Sequence, residues 1–64
     1  MANMYDYSEC DEVADNMTLT RRLSFDDAIA IVNTQMPDEG YVIRSNVAES
    51  LMKRSWRMFP RSAV

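Results

Sequence analysis

Apolar positions recur along this 64-residue chain with two different periods, and the changes of period divide it into elements. Phe25, Ala28, Ile29, Val32 and Met36 fall three or four apart, with Ile31 widening the stripe, which predicts an amphipathic helix over 25–36 with one buried face. Ser24 stands where an N-cap belongs, and Asp26 and Asp27 place carboxylates in the first turn, against the positive end of the helix dipole. Pro37, Asp38, Glu39 and Gly40 stop this helix, because proline cannot continue the hydrogen-bond ladder and glycine has access to the left-handed backbone that a turn demands. Upstream, Met17, Leu19 and Leu23 alternate with Thr18, Thr20 and Arg22, a period of two that Arg21 interrupts; this predicts a strand over 17–22. Downstream, Tyr41, Val42 and Ile43 favour pleated structure and predict a second strand over 40–45. The last element reads as a helix over 47–59. Asn46 with Glu49 forms a second capping pattern, Val47, Ala48, Leu51, Met52, Trp56 and Phe59 supply a broad apolar face, and Pro60 ends it.

The expected fold is therefore α+β: one small domain, strand–helix–strand followed by a C-terminal helix, with an acidic N-terminal arm over residues 1–16. Within that arm Ser8 can cap a short helix through Ala14, with Asp11 at its third position; the alternative is a mobile segment. At this length burial only just offsets chain entropy, so Trp56 and Phe59 are expected in the core, and a partner or a homodimer interface would add material stability.

Composition narrows the function classes. Hydrophobic residues make up 47% of the chain and charged residues 27%, which is a folding composition. Histidine is absent and there is one glycine and one cysteine, so most catalytic, metal-ligand and phosphate-cradling motifs cannot be assembled. Asp26 with Asp27, and Asp38 with Glu39, are sequential neighbours whose side chains diverge, and each has a local role at a helix start or a turn. The expectation is a non-enzymatic protein with no catalytic residues, no cofactor and no metal site. A single cysteine, Cys10, excludes an intramolecular disulfide and fits a reducing compartment. With an acidic N-terminus and no long apolar run, the expected location is cytoplasmic, or the host cytoplasm if the chain is phage-encoded.

Charge is distributed unevenly about a net of −3. Residues 1–20 carry Asp6, Glu9, Asp11, Glu12 and Asp15 with no Lys or Arg, whereas residues 41–64 carry Arg44, Lys53, Arg54, Arg57 and Arg61 against Glu49. Carboxylates spaced along a surface can imitate nucleic-acid phosphates and occupy a partner's basic groove, and interleaved tyrosines suit an interface core. Tyr5, Asp6, Tyr7, Glu9, Asp11 and Glu12 are therefore the candidate partner-binding residues, and the expected partner is a bacterial protein with a basic surface. The Lys53, Arg57, Arg61 ridge reads more simply as a solvated face or as a cis partner for the acidic arm.

Two resemblances follow from these elements. The order strand, capped helix (Ser24, Phe25, Asp26, Asp27, Ala28), Pro37–Gly40 turn and Tyr41–Val42–Ile43 strand resembles the small α+β proteins with which phages block host enzymes, such as RNA polymerase inhibitors and anti-CRISPR proteins. That resemblance implies occlusion of a host nucleic-acid-processing or defence protein. The spacing from Leu23 to Gly40 is also similar to that of ribbon-helix-helix repressors, which are dimers that read DNA with a two-stranded ribbon. In that reading Thr18, Thr20 and Arg22 would face the bases. Arg21 in the ribbon, Pro37 cutting the first helix and the strand-like Tyr41–Ile43 depart from that family's pattern.

Overall fold

The structure, a computed structural model, describes residues 7–61, with side chains described from Glu9 onward. Its regular elements are three helices: α1 (Tyr7–Asp15), α2 (Phe25–Gln35) and α3 (Tyr41–Met58). No strand occurs among the described residues, so the α+β expectation is corrected to an all-helical fold.

The helix expected over 25–36 forms as α2, and its ends are set by local chemistry. The Asp27 amide donates to Ser24 Oγ (3.1 Å) and the Ser24 amide reaches back to Asp27 Oδ2 (3.5 Å), a reciprocal capping box. Arg21 Nη1 lies 2.9 Å from the same carboxylate oxygen. That hydrogen bond, followed by the one from the Ser24 backbone, lowers the Asp27 pKa below its ordinary value of 3.8. A depressed carboxylate contributes stability above its unfolded pKa and loses it as pH falls through the folded one. Asp27→Asn is therefore expected to flatten the acid side of a plot of Tm against pH, below about pH 4; an unchanged slope would show that the Arg21 contact does nothing for the fold.

The second expected strand is instead the beginning of α3. Tyr41, Val42 and Ile43 carry β propensity, but the helical penalty for such residues is under about 0.7 kcal/mol each. Ile43, Val47, Leu51 and Ser55 lie at strict four-residue spacing, and the last three are fully buried with Ala48 beside them. Burial along this row outweighs local preference. Asn46 and Glu49 consequently lie inside the helix and not at its start. The N-cap is Gly40, at φ −71° and ψ 167°, an extended conformation open to any residue, so its expected left-handed role is also corrected. An added Cβ there would meet nothing within 4 Å.

The alternating segment over 17–22 is irregular chain laid across α3. Its inward positions are real: Leu23 is buried, and Met17 and Leu19 pack against the core. A strand must pair its backbone with a neighbouring strand, and none is available. Three successive residues of α3 take over that role. Arg54 Nη1 donates to the Met17 carbonyl (3.2 Å), Ser55 Oγ accepts from the Leu23 amide (2.9 Å), and Trp56 Nε1 donates to the Leu23 carbonyl (2.9 Å).

α1 and α2 each pack on α3 and not on each other. Asp11 meets Ser50 and Asp15 meets Arg54, so α1 runs parallel to α3; α2 runs back to it through the turn after Met36. The shared core is Cys10, Ala14, Leu23, Ala28, Val32, Val47, Ala48 and Leu51, flanked by Val13, Ile29 and Met52 among others. Three of its eight members are alanines, which allows close helix approach but leaves few large side chains to bury.

Candidate functional site

Each candidate residue of the acidic arm is placed by the packing of α1, apart from Tyr5 and Asp6, which lie outside the described residues. Tyr7 opens the helix, so Ser8 falls within it and is not its cap. Cys10 and Ala14, one turn apart, are buried, and this orients the rest. Glu9, Asp11, Glu12 and Asp15 are all exposed. Asp11 and Asp15 flank the seam with α3: Asp11 Oδ1 accepts from Ser50 Oγ at 2.6 Å, and Asp15 Oδ1 lies 3.1 Å from Arg54 Nε. Glu9 and Glu12, three residues apart, lie together away from that seam. The structure thus gathers Glu9, Asp11 and Glu12 on one helix, but ties Asp11 to the body of the protein.

Between α1 and α3 runs an open groove of about 370 Å³, with Asp11, Asp15 and Glu49 on its walls beside Lys53 and Arg57. Lys53 Nζ is 3.5 Å from Glu49 Oε2, an exposed pair of the kind worth little to stability. The basic ridge is therefore partly answered in cis. Among the described residues no three His, Cys, Asp or Glu side chains converge as metal ligands, and the groove's mixed charges do not set an acid against a base over an enclosed cavity.

The residues assigned to DNA reading are not brought together as a ribbon. Thr18 and Thr20 are exposed on irregular chain, and Arg22 is turned onto the tryptophan of α3, its Cζ 5.1 Å from the Trp56 ring centroid. The strand that the repressor resemblance requires is not formed, and neither is the strand–helix–strand order behind the phage-inhibitor resemblance.

Trp56 is the functional candidate that sequence reasoning misplaced. It is 39% exposed and not part of the core. The signal was available: Val47, Leu51 and Ser55 define the inward row, and the residue after Ser55 is rotated by about 100° from it. Trp56, Arg22, Leu23, Ser24 and Arg61 line a second notch, of about 290 Å³, at the end of the domain where α2 begins and α3 ends. Phe59, also expected in the core, is partly exposed as the C-cap of α3.

No described helix is long and apolar enough to cross a membrane. Comparison of the chain with protein-family models, with curated proteins and with solved structures found no match.

Proposed function

We propose that this chain is a non-enzymatic binding module that covers a basic surface of another protein with the carboxylates of α1. The observation that carries the reading is the exposure of Glu9, Asp11, Glu12 and Asp15 on a helix whose opposite side is anchored by buried Cys10 and Ala14. Anchoring holds the negative charges in a set geometry, so less ordering entropy is lost on binding than from a mobile tail. Charges so arranged steer encounter and select partners more than they add raw affinity. The partner class is a bacterial nucleic-acid-processing or defence protein whose groove accepts phosphates, and the place of action is the cytoplasm; a phage-encoded inhibitor is the specific form of this proposal.

Tagged protein is captured with its partners from nuclease-treated bacterial lysate, in parallel with a variant carrying Glu9→Lys and Glu12→Lys. These substitutions spare the Asp11–Ser50 and Asp15–Arg54 ties, and circular dichroism checks the helix content of both proteins. A stoichiometric partner retained by the native chain and lost by the variant is the expected result. The same partner held equally by both would sink the acidic-face reading. Recovery of one discrete DNA sequence by a dimeric protein, sensitive to Arg22→Ala, would favour a DNA-binding repressor instead.

A further inference from the structure

The notch at the α2–α3 end has the opposite charge to α1 and a different construction. Trp56 is held by its indole N–H on the Leu23 carbonyl, at 2.9 Å. Leu23 is itself buried, and its amide is fixed by Ser55 Oγ. Arg22 lies over the indole at 5.1 Å, and Arg61 lines the same notch. Three other cations are matched by carboxylates, Arg21 by Asp27, Lys53 by Glu49 and Arg54 by Asp15, while Arg44 donates to the Glu39 carbonyl and Arg57 lines the α1–α3 groove. Among the described residues no carboxylate stands within ion-pair distance of Arg22 or Arg61. Two guanidinium groups without a carboxylate partner therefore flank a tryptophan whose position is fixed before anything binds.

We propose that this notch is a second binding site, which takes a carboxylate side chain from an acidic segment of a partner protein between Arg22 and Arg61, with Trp56 as its apolar floor. The arginine fork matches a carboxylate bidentately, and tryptophan and arginine are the side chains that most often carry interface affinity when they are pre-positioned.

Single-stranded nucleic acid fits less well. Arg22 already covers one face of the indole, so a base cannot stack there. The cavity of about 290 Å³ admits a side chain or two, far short of the track of several nucleotides that such strands need. A net charge of −3 also repels an extended polyanion at long range. A second copy of this chain is disfavoured as well. Its acidic helix and the notch are different surfaces, so the contact would be head to tail, without the self-complementary two-fold symmetry of the commonest dimers.

Trp56 is the chain's one tryptophan, so its fluorescence reads the notch directly. The native protein is titrated with a capped hexaglutamate peptide at low salt. A saturable change in Trp56 emission is expected, weakening as salt is raised. Binding should fall about tenfold in Arg22→Ala and in Arg61→Ala, the size of one lost charge-assisted hydrogen bond, and should persist in Lys53→Ala. Circular dichroism confirms that each exposed-site variant is folded. No response, or a response indifferent to Arg22 and Arg61, overturns the proposal. Tighter binding of octathymidylate than of the peptide overturns it in favour of nucleic acid, and a concentration-dependent emission change without peptide overturns it in favour of self-association. Because Glu9 and Glu12 take no part in this assay, its outcome is independent of the acidic-face reading.

Discussion

Leu51→Ala is expected to remove about 2–5 kcal/mol of stability, a large part or all of the about 3–5 kcal/mol that a core of this size supplies. Leu51 is fully buried and is the largest of the fully buried side chains. Its position on α3 makes the cavity especially damaging, because α3 is the helix on which both α1 and α2 rest. The alanines around it, Ala14, Ala28 and Ala48, have no side-chain length with which to fill the void. Urea titration followed by circular dichroism reads the effect, with Leu51→Met as the volume-conserving control at under about 1.5 kcal/mol. A loss below about 1 kcal/mol for the alanine variant would be too small for a cavity at this position and would mean that Leu51 is not at the centre of the core.

Ser55→Ala carries the second large effect, for a polar reason. Ser55 is fully buried, its Oγ accepts from the Leu23 amide at 2.9 Å, and its hydroxyl donates to the Met52 carbonyl at 2.6 Å. Removing the hydroxyl leaves the Leu23 amide without its acceptor, at a cost of about 1–3 kcal/mol, and the better helix propensity of alanine offsets only about 0.5 kcal/mol. The loss should reach the neighbouring residue too. With the 16–24 segment no longer held at Leu23, the Trp56 indole loses the fixed carbonyl it donates to, and its emission should shift to the red before global unfolding. A stability loss without that early shift would mean that the segment is held by Arg54 and Trp56 alone.

What could be read from the sequence was what neighbouring residues decide among themselves. The start of α2 depends on Ser24 and Asp27, three residues apart, and its end on Pro37, so both were visible. The beginning of α3 depends on a row from Ile43 to Ser55, longer than the Tyr41–Val42–Ile43 window that suggested a strand, and the longer row prevails because its members are buried together. The alternation at Met17, Leu19 and Leu23 did report which side chains face inward, but whether such a segment is a strand depends on its hydrogen-bond partner. That partner is Arg54, Ser55 and Trp56, more than thirty residues away. The candidate sites divide in the same way. Exposure of Glu9, Asp11 and Glu12 follows from their composition, whereas the tie between Asp11 and Ser50 spans 39 residues and the Arg22–Trp56 stack joins two elements that no local pattern connects.

That α1 and α2 each pack on α3 and not on each other has a consequence for how substitutions at the two surfaces combine. The carboxylates of α1 and the notch at Arg22 and Trp56 are joined by the 16–24 segment and by Arg54, which holds both Asp15 and the Met17 carbonyl, so it is substitutions at Glu9 and Glu12, which leave those ties in place, that should change the notch little. On the two proposed readings, such separability would let one surface diversify toward a new partner while the other keeps its own, giving a chain of 64 residues two adjustable handles.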